Sequence, residues 1–196
     1  MSAANGNSLN SLVGLSGFRC IVADPPWDLG KVNTGYITTG LCRLPYETMT
    51  IAEIEAIPVS DLAEKDCHLY LWAVTATLRH AFGIVEAWGF KPKNILTWSK
   101  PGLGPGTRWR ATSEYILFAT RGSLPITRHD LGTWFAWPRG RHSAKPEAFQ
   151  DMVETVSPGP YLELFARRPR LNWTVWGNEV EANAGIERPM KPQEGR

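Results

Sequence analysis

What this chain has little of narrows its chemistry first. Cys20, Cys42 and Cys67 are an odd set without C-x-x-C spacing, which argues against a disulfide framework and a structural zinc site and suits a reducing cytoplasm. His68, His80, His129 and His142 are scattered, with no helical H-x-x-x-H and no H-x-E beside a cysteine pair. A zinc deaminase is therefore disfavoured and no metal site is expected. There is no G-x-S-x-G elbow of a hydrolase. G-L-G-P-G-T (102–107) lacks the G-x-G-x-x-G spacing, so it reads as a mobile active-site loop or simply as a loop. Charge of one sign is also lacking: the net charge of +2 leaves no strong polyanion footprint. Local clusters (Arg108 and Arg110, Arg139 and Arg141, Arg167, Arg168 and Arg170) could supply a basic rim, although a solvated face also explains them. No apolar run reaches the roughly 18 residues of a membrane span, and the first residues lack a basic stretch followed by an apolar one. The expectation is a soluble cytoplasmic protein with no membrane partner.

What is present fits one ordinary domain. The 196 residues, 43% hydrophobic and 20% charged, are enough to bury a sheet with covering helices. Residues 1–16 and 181–196 are small and polar and read as a flexible arm and tail around a domain spanning 17–180. Short apolar runs predict strands at 18–23, 67–72, 94–98, 114–119, 161–166 and 172–176. Helices are predicted between them. Thr50 and Glu53 form a capping box ahead of one. Leu78, Ala81, Phe82 and Val85 share a face in 75–88, which Gly89 ends. Phe149, Met152, Val153 and Val156 share a face in a helix that Pro146 opens and Ser-Pro-Gly closes. Strands alternating with helices predict an α/β, Rossmann-like, mostly parallel sheet with helices on both faces and ligands at the carboxyl ends of its strands. Most of the nine tryptophans are expected in the core.

D-P-P-W (24–27) sits at such a carboxyl end, directly after F-R-C-I-V-A (18–23). A surface turn needs no tryptophan and a core strand tolerates no Pro-Pro. The four residues suit methyl transfer to an aromatic amine such as adenine N6, whose lone pair is delocalised and poorly nucleophilic. Acceptors on both N–H groups pull that nitrogen toward sp³ geometry. Asp24 offers a carboxylate and Pro25 a backbone carbonyl. Pro25 and Pro26 bring no competing N–H, and Trp27 offers a face for the base, a contact worth roughly 1–3 kcal/mol. Catalysis would then rest largely on positioning. The plainer reading is a rigid exit turn with Trp27 in the core.

With these residues the chain resembles the adenine-N6 methyltransferases related to the catalytic subunit of the eukaryotic mRNA methyltransferase, the MT-A seventy family. D-P-P-W is that family's signature. L-P-Y-E-T-M-T (44–50), L-Y-L-W (69–72), A-W-G-F (87–90), R-W-R-A-T-S-E-Y-I-L (108–117), H-S-A-K-P-E (142–147), S-P-G (157–159), E-L-F-A-R (163–167) and N-W-T-V-W-G-N-E (172–179) follow in family order. The resemblance implies that the catalytic motif precedes the cofactor segment and that the cofactor is S-adenosylmethionine. It puts Glu163, Arg167, Asn178 and Glu179 on the cofactor's ribose side and Lys145 at its methionine carboxylate. Tyr46 and Trp109, on loops, are candidates for contact with the target base, and Glu114 matches an acidic position beside the pocket. Three departures stand out. A histidine that follows the Arg-Pro in eukaryotic members is absent here, the closing pair is Asn-Glu rather than Asn-Gln, and Gly6 and Asn7 replace an Asp-Ile pair that holds the cofactor's adenine.

The implied function is S-adenosylmethionine-dependent methyl transfer to adenine N6 in nucleic acid. The chain looks like a bacterial or phage member, for which DNA is favoured over RNA. A catalytically silent partner subunit of the same fold is an alternative, against which the intact D-P-P-W argues. A methyltransferase for an amine outside nucleic acid is another. A homodimer or a partner subunit is left open.

Overall fold

The computed structural model describes residues 12, 14–29, 47–104, 109–138, 144–178 and 180. Most of the expected arm and all of the expected tail lie outside them. The first strand, β1 (Phe18–Ala23), is fully apolar from Cys20 onward and buried on both faces. A short helix α1 (Ile51–Glu55) follows residues 47–50, then a single turn α2 (Val59–Leu62) and the long strand β2 (Ala63–Ala73). Helix α3 (Leu78–Ala87) leads to the hairpin partners β3 (Lys91–Ser99) and β4 (Ser113–Arg121). A two-residue strand β5 (Trp134–Phe135), helix α4 (Glu147–Val156), β6 (Tyr161–Leu164) and β7 (Trp173–Trp176) complete the order.

These strands form one sheet in the order β5-β3-β4-β2-β1-β6-β7. The pairs β1–β2, β1–β6, β6–β7 and β3–β5 are parallel, and only β4 runs against its neighbours. Everything from β2 to β5 lies on one side of β1, and β6 and β7 lie on the other. The carboxyl end of β1 is therefore the point where the winding of the sheet reverses, the crevice where α/β folds take their ligands. Asp24 is the next residue.

Period-two alternation divides the core into two layers. Ile21, Ala23, Leu69, Leu71, Leu117 and Leu164 face α1 and α3, with Ile54, Ala81, Ile84, Val85 and Trp88 packed on them. Cys20, Val22, Tyr70, Trp72, Ile116 and Val175 face α4, against Phe149 and Val153. Trp27, Trp72, Trp88, Trp98, Trp173 and Trp176 are buried, whereas Trp109 and Trp134 are exposed. Among the described residues no helix is long and apolar enough to cross a membrane, and no group of three or more His, Cys, Asp or Glu could hold a metal ion.

Local signals explain most boundaries. Thr50 and Glu53 make the expected reciprocal capping box, and Gly89 ends α3 at φ 82°. Helix α3 starts later than its sequence suggests, because the Thr77 hydroxyl bonds back to Val74 and holds 74–77 in a turn. β6 ends at Leu164 because Phe165 turns to φ 65°, and β7 begins only after Asn172 at φ 64°.

His68 is fully buried, with Phe118 edge-on to its ring at 5.2 Å. Its Nε2 lies 2.9 Å from the Leu124 carbonyl, so Nε2 carries the proton and Nδ1 accepts from the Ser157 hydroxyl at 2.8 Å. Tyr70 completes the chain at 2.8 Å from Ser157 Oγ. Burial holds the ring below its ordinary pKa of 6.5, outweighing the Leu124 contact. A depressed histidine leaves the fold stable above that value and costs stability as the pH falls through it. The melting temperature is therefore expected to drop as the pH falls below 6.5. In His68→Gln that part of the slope should vanish, even though the variant melts lower at every pH; an unchanged slope in pH-dependent melts would refute the assignment.

Candidate active site

The motif after β1 is held by its own backbone. Trp27 N–H donates to the Pro25 carbonyl at 2.9 Å, closing a three-residue turn about Pro26. Met49 N–H donates to the Pro26 carbonyl at 2.8 Å and Asp28 N–H to the Met49 carbonyl at 3.0 Å, so residues 26–28 and 49 lie side by side. The prolines themselves bring no N–H to the Pro25 oxygen, as expected, but Trp27 does. A carbonyl oxygen has a second lone pair, which leaves an acceptor direction on Pro25. Trp27 also differs from its expected role. Its indole N–H donates to the Trp72 carbonyl at 3.1 Å and the ring is only 7% exposed, so it offers no open platform to a base. Packing against Ile54, Leu71 and the rest of the α1 layer has claimed it.

Asp24 stands in a small cavity with Trp72, Lys145, Phe149, Gln150, Glu163 and Arg167. Four segments meet there: the end of β1, β2, the start of α4 and β6. Lys145 Nζ lies 2.8 Å from Asp24 Oδ1 and 3.2 Å from Glu114 Oε2, and 4.9 Å above the Trp72 ring. Burial pulls the Lys145 ammonium down, but Asp24 and Glu114 outweigh it and hold its pKa above the ordinary value. Burial likewise pushes Glu114 up, and here Lys145 and Lys100 prevail and hold it below the usual range. Glu163 goes the other way. Burial drives its carboxyl up to about 7, the Gln150 amide opposes this, and the charge of Asp24 adds to it. Gln150 is oriented by Arg168, which donates to its Oε1 at 3.3 Å, so its amide N–H groups face Glu163.

Of the residues singled out in the sequence, Asp24, Lys145, Glu163 and Arg167 share the cavity, and Glu114 joins through Lys145. Trp109 is 91% exposed and Asn178 is exposed beyond β7, both outside the cavity lining. Tyr46 and Glu179 lie outside the described residues. Sequence reasoning missed Trp72, Lys100, Gln150 and Arg168. Trp72 was legible only as a strand residue, and Gln150 only as the one polar member of a helix face shared by Phe149 and Val153. Lys100 carried no signal at all. A wider groove at the opposite end of β1 runs between Arg19, Glu64, Lys65 and Asp66. Its charges balance, and Asp66 Oδ1 is occupied by the backbone and hydroxyl of Ser123.

Residues 18–179 match the MT-A70 family. The chain belongs to that family. It is 29% identical to the type II methyltransferase M.MunI of a Mycoplasma species, covering 89% of this chain and 82% of that protein. It is 30% identical to the human N(6)-adenine-specific methyltransferase METTL4 over 83% of this chain, and 25% identical to the human N(6)-adenosine-methyltransferase catalytic subunit METTL3 over 85%. It spans only 37% and 29% of those two proteins.

The raised carboxyl gives a test of the cavity. A group whose folded pKa is raised favours its protonated form in the fold, so its contribution is full below its ordinary value of 4.5 and is lost as the pH climbs to about 7. Melts of Glu163→Gln should lack this loss. If wild type and variant keep parallel stability profiles across that window, Glu163 is not the buried proton-holding group described.

Proposed function

We infer that this protein transfers a methyl group from S-adenosylmethionine to the N6 amine of adenine in nucleic acid, with Asp24 as the acceptor that orients the amine. Family membership makes the chain an adenine-N6 methyltransferase; the nucleic acid and the residue roles are the proposal. The observation that carries it is the placement of Asp24 at the reversal point of the sheet, facing a charged lysine across 2.8 Å.

The residues of the cavity fit the cofactor's groups. The Lys145 ammonium, kept charged in a partly buried setting, suits an α-carboxylate. Glu163 on β6, with Arg167 just beyond it, suits ribose hydroxyls, and Asn178 and Glu179 belong to the same expected set. When bound, S-adenosylmethionine supplies an electrophilic methyl on a sulfonium. The chain's own residues do the rest. Asp24 and the second lone pair of the Pro25 carbonyl accept the two N–H bonds of the target amine, which localises its lone pair. Trp27, pinned to Trp72, keeps that turn rigid, so the acceptors need no reorganisation when the reaction occurs. Trp109, exposed on the loop before β4, is available to stack on the target base or a neighbour; Tyr46 is proposed for the same contact on the resemblance alone. A base in a duplex would have to leave the stack, at a few kcal/mol.

DNA is proposed ahead of RNA. Its support is that the match to M.MunI runs over most of both chains, while the matches to METTL3 and METTL4 cover a minor part of those proteins.

The test supplies labelled S-adenosylmethionine to matched adenine-containing DNA and RNA oligonucleotides, single- and double-stranded. Label is expected on N6-methyladenine, most in DNA. Asp24→Ala should reduce transfer by about 10²–10³-fold, the usual effect of deleting one preorganised hydrogen-bond partner. Transfer that survives Asp24→Ala would remove Asp24 from the mechanism. Cofactor binding without transfer to any oligonucleotide would turn the reading to a silent or partner-dependent subunit, or to an amine outside nucleic acid.

A further inference from the structure

Asp24, Lys145, Glu114 and Lys100 form a single row of alternating charge. Lys145 Nζ bridges Asp24 Oδ1 at 2.8 Å and Glu114 Oε2 at 3.2 Å, and the other oxygen of Glu114 takes the ammonium of Lys100. Each cation is backed by an indole, Lys145 over Trp72 at 4.9 Å and Lys100 over Trp98 at 5.0 Å. Those two tryptophans meet edge to face at 5.9 Å, so the two ammonium groups rest on one aromatic wall. All four charged side chains are mostly covered, with 14–21% exposure, which keeps water from screening them as it would on the surface.

The arrangement creates a competition at Lys145. Two carboxylates already hold it, and a cofactor carboxylate would be a third. An unshielded Glu114 would both retain Lys145 and repel the arriving anion. Lys100 removes both obstacles by sharing the charge of Glu114. We propose that Lys100 is a positioning residue for cofactor capture, which neutralises Glu114 so that Lys145 can turn between Asp24 and the cofactor's carboxylate. This rests on the assignment of Lys145 to that carboxylate made above. Lys100 does not itself touch the cofactor; it acts through Glu114.

The experiment is calorimetric titration of S-adenosylhomocysteine, which keeps the carboxylate and cannot react, into the full chain without nucleic acid. Wild type, Lys100→Met, Lys100→Arg, Glu114→Gln and the double variant Lys100→Met/Glu114→Gln are compared, with thermal melts to confirm folding. Lys100→Met is expected to weaken binding about tenfold, the order of effect of one uncompensated charge in a partly covered site. Lys100→Arg should bind close to wild type, and Glu114→Gln placed on Lys100→Met should recover most of the loss. A purely structural role for Lys100 would not give that recovery. Equal affinity of Lys100→Met and wild type overturns the proposal, as does a double variant no better than Lys100→Met. Should Lys100→Met fail to fold, Glu114→Gln alone decides: binding at least as tight as wild type supports the proposal, and weaker binding overturns it. If wild type takes up no S-adenosylhomocysteine, the cofactor assignment of Lys145 falls and this inference with it.

Discussion

The contact on which the site depends is the ammonium of Lys145 lodged between Asp24 and Glu114. It ties the end of β1, the start of β4 and the residues entering α4, segments more than a hundred residues apart at their extremes. None of the three is held to the others by backbone pairing at that point, since β4 is separated from β1 by β2. Removing one partner of such a covered ionic group leaves another uncompensated, which is costly. The row therefore specifies one arrangement of the crevice as well as one charge state.

The sheet explains why those segments can meet. Reversal of the winding at β1 opens a crevice between β2 and β6, and two core layers hold the walls: α1 and α3 behind, α4 in front. Trp72 joins these roles. Its ring belongs to the α4 layer, its face supports Lys145, and its carbonyl receives the Trp27 indole from the opposite layer. Through that bond the turn after β1 is anchored to β2 as well as to Met49. Because dense cores resist small displacements, the bond to β2 holds the turn against the packed sheet.

The fold was largely legible because its signals are local. Apolar runs marked β1, β2, β3, β4, β6 and β7, and Thr50 with Glu53 marked the start of α1. What escaped was short or depended on neighbours. α2 is one turn, and β5 is two residues that pair only because β3 runs past them. The site divides in the same way. Asp24 could be found from the motif and Lys145 from the family resemblance. Trp27 was legible either as a stacking face or as a core residue, and the sequence could not choose, because an indole's fate depends on whether its N–H finds a carbonyl 45 residues away. Lys100 was invisible because its meaning lies wholly in Glu114, fourteen residues on and across a hairpin.

Glu114 and Glu163 lie on either side of the same aspartate with their carboxyls shifted in opposite directions, and the difference is physical rather than chemical. Both are carboxylates withdrawn from water. Glu114 faces two ammonium groups, which together overcome the cost of burial and keep it charged. Glu163 has only the neutral Gln150 amide at hand, with Arg168 and Arg170 exerting weaker influence, so burial and the nearby charge of Asp24 prevail. The Asp24 crevice thus has a fully ionised wall toward β4 and a wall of adjustable charge toward β6. An anionic group would be received on the lysine side, while hydroxyls that donate to a carboxylate would find their acceptor on the other. That polarity sets an orientation for any ligand carrying a carboxylate at one end and a sugar at the other, and it leaves the carboxylate of Asp24 between them, the position the proposed function requires of it.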